Sequence, residues 1–289
     1  WAEPRELQIH ITADVALAQW WYYLTTRDTE WLREHGFKVM RECADFWVSR
    51  VEWNDAEARY EIRGVQCADE YAVGVDNDAF TNAAARECLL VTTRAAEVLG
   101  ETAEPAWSRV AALIHIPYDT ERRIDLEFDG YDGRVTKQAD VELLSYPLTY
   151  VMDPGQTARD LEFYSGRVDE AGGPAMSMSV NSILWSWLGR ADEAYEYFTR
   201  SYRPNVSGPF YAFSETPENA SYTFCTGLGG FLQTVIFGFS GLRIGSSERE
   251  HDTQLPSHWQ RLLLRNVYLG GGRRTIEIEG RMEGHTAAG

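Results

Sequence analysis

Histidine and cysteine are scarce, six and four among 289 residues. Cys43, Cys67, Cys88 and Cys225 lie far apart and form no CxxC pair, which argues against a zinc site or a disulfide framework. They are expected to be buried free thiols. The histidines are too scattered for a metal centre, and HExxH, GxSxG, a Walker-type phosphate loop and a GxGxxG turn after a strand are all missing. No metal and no cofactor are therefore expected. No run approaches the ~20 uninterrupted apolar residues of a membrane span. Basic residues are also in deficit, with 27 Lys and Arg against 44 Asp and Glu, a formal charge of −17. Such a chain is a poor ligand for phosphate backbones and is repelled by anionic membranes, so neither nucleic acid nor a membrane is an expected partner. The first residue is Trp1 rather than Met, and no signal-peptide layout follows it. The sequence is thus expected to be a piece of a longer protein, with compartment and oligomeric state unassigned.

Aromatic residues, in contrast, make up 13%, including 10 Trp and 15 Tyr. Flat rings stack on sugar faces and carboxylates bond hydroxyls, so an acidic, Trp- and Tyr-rich chain suits a sugar-handling cleft, although most single rings belong to a core. Helical periodicity runs over 8–26, with Ile11, Val15, Ala18 and Tyr22 on the apolar face, and from Asp28 to about Val51, with Trp31, Phe37, Met40, Ala44 and Trp47. So short a turn predicts an antiparallel pair. Further helices are predicted at about 78–98, 103–115, 137–146, 155–166, 174–188, 190–203 and 226–238. Between them lie long loops at 52–77, 116–136 and 204–225, the first with a short hairpin around Arg59–Val65. Recurrent helical hairpins with long, chemically loaded links favour a closed αα toroid over a solenoid. The run 259–279, with Gly270, Gly271 and Gly272 at its turn, reads as a β-hairpin opening a small β module, and 280–289 as frayed.

Four places carry groups suited to chemistry. Asp69, Glu70, Asp76 and Asp78 crowd four carboxyls into ten residues. Crowding raises the pKa of some of them, as a general acid requires. Helix capping by Asp76, Asn77 and Asp78 is the plainer account of the downstream members, but not of Glu70. Glu215 and Glu218 lie in a loop before the glycine-rich run Thr226–Gly230, where solvated surface is the alternative. Lys137 and Gln138 follow an aromatic and acidic loop and could donate bonds to sugar hydroxyls. His10, on an apolar face, is either a structural residue or part of the same site. Paired carboxylates on an αα scaffold point to glycosyl chemistry.

The motifs QIHITAD (8–14), FWVSRVEW (46–53), YEIRGV followed by ADEY (60–71), VDNDAFTN (75–82), EFDGY (127–131), KQADVELLSYP (137–147) and TGLGGFLQTVIFG (226–238) occur in this order. In this respect the chain resembles glycoside hydrolase family 65. The resemblance implies an all-α (α/α)6 barrel over 1–245, here a six-hairpin toroid lacking its first helices, followed by a linker and the start of a C-terminal β module over 246–289. It implies that Glu70 is the general acid and that Lys137 and Gln138 bind the innermost glucosyl unit, with Asp69, Tyr71 and His10 beside them. Residues flanking the acid depart from the family pattern, with Cys67 and Ala68 before Asp69 and Ala72 after Tyr71.

Where phosphorylases of the family hold phosphate with a His- and Ser-rich stretch, this chain has Gly172–Ser179, with Pro174 and Ala175 in place of the first serine pair and no histidine. The pattern resembles the hydrolase branch, which adds a general-base glutamate before the TGLGGFLQ helix. Glu215 is the best-placed residue for that role and Glu218 the second choice. The expected reaction is inverting hydrolysis of an α-glucoside, such as a kojibiose-like disaccharide or a glucosyl-galactosyl conjugate, with the two carboxyls ~6.5–9.5 Å apart. The alternatives are an inverting phosphorylase that yields β-glucose 1-phosphate and an inactive carbohydrate-binding fragment. A Trp-Asp-Thr-Glu stretch that helps bind glucose in the family is absent from these residues, so the isolated fragment is expected to be unstable or inactive.

Overall fold

The structure, a computed structural model, describes residues 7–217, 223–245 and 252–280. The chain divides into two compact units, Trp1–Pro174 and Ala175–Gly289.

The first unit is built on helices α1 (Ile11–Thr26), α2 (Phe37–Arg50), α3 (Ala79–Leu99) and α4 (Pro105–Leu113). Helix α1 packs on α2 and α3, α2 on α3, and α3 on α4. The buried face of α1 is Ala13, Ala16, Leu17, Trp20 and Tyr23. The expected face, Ile11, Val15, Ala18 and Tyr22, is exposed instead. Apolar residues surround α1 on most sides, so spacing alone does not select the side that packs. The second predicted helix is broken by a π-helical turn over Leu32–Gly36. Gly36 is required there, because a Cβ would come within 2.7 Å of the Trp31 ring. Beyond the turn the expected stripe holds, with Phe37, Met40, Ala44 and Trp47 buried.

Helix α3 buries residues on nearly every side. It starts at Asp78, whose carboxylate accepts the Thr81 N–H at 2.8 Å, and ends at Gly100 in the left-handed region. Pro105 opens α4 at a position where its missing N–H costs nothing. Trp47 and Trp107 are fully buried, and the Trp107 indole donates to Asp45 at 2.9 Å.

Two expectations fail in this unit. The hairpin lies at β1 (Glu52–Asn54) and β2 (Arg59–Glu61), not at Arg59–Val65. Asn54 sets the turn by accepting the N–H groups of Ala56 and Glu57, and Trp53 pairs with Tyr60 across the strands. A second small ladder, β3 (Val65–Gln66) with β4 (Val73–Val75), closes the base of the loop that carries Glu70. The helix expected over 137–146 shrinks to one turn, α5 (Glu142–Ser145). The Thr136 and Lys137 N–H groups bond to the Arg167 carbonyl and the Asp69 carboxylate, so the chain is tied across loops where a helix would have begun. Helix α6 (Pro154–Tyr164) forms as expected.

The second unit contains α7 (Met176–Trp187), α8 (Ala191–Arg200) and α9 (Cys225–Gln233), the last continued by a π turn over Thr234–Phe239. Helices α8, α9 and the π turn each pack on α7. Gly230 lies against Ser179 of α7, where a Cβ would meet Ser179 at 3.0 Å. Phe198 stacks on Phe231 with centroids 5.0 Å apart, and it meets Phe239 and Trp259 edge-on. Trp259 precedes the predicted C-terminal hairpin, β5 (Arg261–Leu269) and β6 (Gly272–Glu279), so this aromatic cluster anchors the hairpin to the helices of its own unit. Of the residues expected to fray, 281–289 lie outside the described residues.

All four cysteines are free. Cys43, Cys67 and Cys88 are buried as expected, but Cys225 is exposed, because it opens α9 beyond the packed face. Among the described residues, no helix is long and apolar enough to cross a membrane.

Candidate active site

Glu70 projects from a tight turn. The Cys67 N–H bonds to the Ala72 carbonyl and the Ala72 N–H to the Asp69 carbonyl. The side chain of Gln66 caps the Glu70 carbonyl at 3.2 Å. Glu70 itself is exposed, and its Oε2 accepts Lys137 Nζ at 2.5 Å, so the two side chains form an ion pair at the surface of the turn. Tyr71 is half-exposed and donates its hydroxyl to Asp169 at 2.9 Å. That bond and the N–H groups of Gly172 and Ala171 hold the Asp169 carboxyl below the usual range. The 169–173 turn lies so close to the Lys137 backbone that a Cβ on Gly173 would strike the carbonyl oxygens of both Asp169 and Lys137.

Asp76 is exposed and accepts the Gly64 N–H at 2.9 Å, whereas Asp69, Gln138 and His10 face inward. Asp69 is 1% exposed and accepts the Lys137 and Tyr71 N–H groups at 2.7 and 3.1 Å, together with the Gln138 N–H. Gln138 is buried and gives its amide N–H to the Ala68 carbonyl at 2.5 Å. Both side chains therefore hold the Glu70 turn. His10 bonds to Asp14 through Nδ1 at 2.9 Å and packs edge-on against Phe80, while its Nε2 is buried without a hydrogen-bond partner.

Behind Asp69 lies a group that motif reading did not nominate. Glu127, Asp140 and Glu142 are at most 2% exposed, as is Asp78. Burial pushes Glu127 up to about 9, helped by the charges of Asp69 and Asp78, and Glu142 up to about 7. Burial likewise drives Asp140 far above the usual carboxylate range, aided by Asp78 and Glu127, and pushes the Cys67 thiol up. The contrast is Glu61, also buried. There burial acts upward, but Arg63, Asn54 and Arg59 bond the carboxylate and bring it down to about 2. A sequence signal existed: Glu127, Asp140 and Glu142 each sit between apolar residues, where a charged side chain is out of place unless partnered.

Cys67 lies beside two of these acids. Its Sγ and one carboxyl oxygen each from Asp78 and Asp140 lie within 4.8 Å of one another, close enough to hold a cation, although the cysteine spacing gave no hint of it. A further buried pair, Asp125 and Asp160, shares the side-chain amide of Gln156, and burial with the Asp125 charge pushes Asp160 up to about 8. The Tyr164 hydroxyl joins this pair to the first group, donating to the Asp125 carbonyl and accepting the Glu127 N–H. Above Asp125 a cavity of about 510 Å³ is lined by Tyr118, Arg123, Tyr150, Met152 and Gln156, and none of the nominated residues borders it.

Glu215 belongs to the second unit. Asn205 donates its side-chain amide to the Ser214 and Glu215 carbonyls at 3.1 and 2.9 Å, and the Ala175 N–H also bonds to the Glu215 carbonyl. Two residues upstream, Phe213 packs on Gly227 of α9, where a Cβ would meet its ring at 2.6 Å. Glu218 lies outside the described residues. In the stretch 172–179, Ser177 and Ser179 are buried at 1% exposure.

The model of the glycosyl hydrolase family 65 central catalytic domain matches residues 1–135 and 130–210. A kojibiose hydrolase of Mucilaginibacter mallensis is 44% identical over 271 residues, which cover 93% of this chain and 40% of that protein. A protein-glucosylgalactosylhydroxylysine glucosidase of Danio rerio is 40% identical over 267 residues, 91% of this chain and 40% of that one. Among solved structures, a putative kojibiose phosphorylase from human microbiome superposes with a TM-score of 0.72 at 18% identity, covering 93% of this chain and 44% of its own. The chain spans about two fifths of the length of these curated relatives.

Proposed function

This chain belongs to glycosyl hydrolase family 65, and from that premise we propose that the protein of which it forms part hydrolyses an α-glucoside with inversion. The observation that carries the reading is the Glu70 turn. It presents one exposed carboxylate, paired with Lys137 at 2.5 Å, on a loop fastened from behind by Asp69 and Gln138. A rigid mount with a solvent-facing carboxyl is what proton delivery to a glycosidic oxygen needs. In the proposed reaction the Lys137–Glu70 pair opens when substrate binds. Lys137 turns to a glucosyl hydroxyl, and Glu70 protonates the leaving oxygen.

Glu215 takes a proton from the attacking water on the opposite face, and this requires the two carboxyls ~6.5–9.5 Å apart in the working enzyme. Tyr71 and His10 complete the sugar-binding set in this reading. Asp69 and Gln138 serve it by fixing the turn as well as by any direct contact. We also infer an (α/α)6 barrel over 1–245, followed by a linker and the start of a β module over 246–289; the likeness in fold to the solved phosphorylase supports the barrel.

The chemistry of 172–179 favours water over phosphate as the nucleophile. Histidine is absent there, and both serines are buried. The substrate class follows the names of the relatives, kojibiose or a glucosyl-galactosyl conjugate. The test is incubation of the full-length polypeptide with kojibiose, with and without inorganic phosphate, following the anomer released by NMR. The reading expects β-glucose at a rate independent of phosphate. Release of β-glucose 1-phosphate only when phosphate is present would replace it with the phosphorolytic reaction, and no turnover in either condition would leave a carbohydrate-binding role.

A further inference from the structure

The carboxyl group behind Glu70 poses a problem of charge. Asp69, Asp78, Glu127, Asp140 and Glu142 are at most 2% exposed, and among the described residues no Lys or Arg side chain bonds any of them. Five buried anions without a cation would cost far more than a folded domain can offset.

The hydrogen bonds indicate how the charge is reduced. Asp69 collects three backbone N–H groups, an environment suited to the anion. Glu127 has no N–H or hydroxyl donor on either carboxyl oxygen, yet it lies within hydrogen-bonding reach of the Asp69 carboxyl. Two carboxyls can bond only if one keeps its proton. Asp69 is the acceptor here and Glu127 the donor.

We propose that Glu127 is a positioning residue, a neutral carboxylic acid that donates its O–H to Asp69 and so fixes the turn from which Glu70 delivers its proton. The proposal rests on Glu70 being the general acid. Asp69 is the hinge of the arrangement: its side chain joins the Glu70 turn, through the Tyr71 N–H, to the Lys137 strand, through the Lys137 N–H. Without the bond from Glu127, the Asp69 carboxylate can rotate, and both N–H anchors loosen together. The Lys137 segment keeps the Thr136 bonds to Arg167 and Asp169, so removing the donor acts on proton delivery more than on sugar affinity. The same logic extends to Asp140, whose carboxyl accepts the Asp69 N–H at 3.3 Å and has an oxygen within 4.8 Å of one from the Asp78 carboxyl. Among the described residues the Glu127 side chain has no other donor or acceptor role, so it is the cleanest place to intervene.

The experiment compares Glu127→Gln, Glu127→Ala and Glu70→Gln in the full-length polypeptide on two substrates. Kojibiose needs its leaving oxygen protonated. α-Glucosyl fluoride has a leaving group that departs without a proton. Glu127→Gln keeps a neutral donor at the same place and is expected to hold kcat on kojibiose within about threefold of wild type, while Glu127→Ala lowers it about 10²-fold with KM nearly unchanged, as small misplacements of a reacting group do. On the fluoride both variants stay within about fivefold of wild type, the smaller loss expected when proton transfer is bypassed.

Equal losses in Gln and Ala variants overturn the proposal, as does an Ala variant that loses both substrates alike. If the Ala variant does not fold, the Gln variant decides: retention of kojibiose turnover supports the neutral donor, and loss refutes it. Elemental analysis after dialysis against EDTA covers the competing account, since a stoichiometric divalent cation retained among Cys67, Asp78 and Asp140 would also overturn it. Glu70→Gln separates this proposal from the reading beneath it. If that variant still hydrolyses kojibiose, Glu70 is not the acid. If it loses kojibiose and keeps the fluoride while Glu127→Ala is unaffected, only the positioning role fails.

Discussion

The two units bury different kinds of polar group. Among the described residues, the first buries eight acidic side chains, Glu61, Asp69, Asp78, Asp125, Glu127, Asp140, Glu142 and Asp160, whereas the buried polar residues of the second are all Ser, Thr or Asn. The candidate carboxylates are mounted accordingly. The Glu70 turn is fastened by a carboxylate, Asp69, and an amide, Gln138, with ionisable groups behind them. The Glu215 loop is fastened by the Asn205 amide and the Ser214 hydroxyl, which bonds to the Asn205 and Thr216 carbonyls. One mount depends on where protons reside, and the other does not. A charged network can be stiff and directional, but its strength varies with pH, whereas a neutral network is weaker per bond and constant.

The largest expected effect separates the two carboxylates by role. Glu70→Gln is expected to lower hydrolysis of an α-glucoside by roughly 10²–10⁴-fold and to spare α-glucosyl fluoride. Glu215→Gln is expected to lower both, since water must be activated in either case. Steady-state rates on the two substrates check this, and the same pattern in both variants would erase the assignment. Next in size is a pair of glycine substitutions. Gly173→Ala drives a Cβ into two carbonyl oxygens and should cost about 3 kcal/mol, read as a fall in denaturation midpoint. Gly227→Ala meets the Phe213 ring, which can tilt, and should cost about 1 kcal/mol.

Asn205→Ala leaves the Ser214 and Glu215 carbonyls without their amide donor and is expected to destabilise the second unit by about 2 kcal/mol. Hydrogen exchange should place the loosening at 213–216 and leave 67–72 protected. A separate contrast lies in pH dependence. The raised Glu127 and Asp160 bind protons in the native state that the unfolded chain has already released. Stability of the first unit should therefore decline as pH rises from about 5 to about 9, with the second unit nearly flat. Exchange protection of amides in α3 and α7, corrected for intrinsic rates, would show whether the units diverge in this way.

Much of this was readable from the sequence. Helix positions followed from periodicity, and the C-terminal hairpin from its glycine turn. The exceptions have local causes. Ile11, Val15, Ala18 and Tyr22 point outward because α1 is apolar on too many sides for spacing to choose a face. The helix expected from Lys137 is one turn long because its first N–H groups bond to Asp69 and Arg167, partners far away in sequence. Glu70, Lys137 and Glu215 could be named from motifs, since motifs record the groups nearest the chemistry. Glu127, Asp140 and Glu142 are a product of folding: single acids in three apolar contexts become a cluster only when EFDGY, ADEY and KQADVELL are brought together. Their apolar flanks were the visible sign.

Cys225 is the one thiol that solvent reaches among the four in these residues. It opens α9, next to Phe224, whose N–H bonds to the Phe213 carbonyl just upstream of Glu215. A maleimide fluorophore should therefore attach at one place in the native chain and at four after denaturation. The label would sit one residue from the bond that ties α9 to the Glu215 loop, turning an unremarkable surface sulfur into an optical gauge of whether that loop moves when sugar arrives.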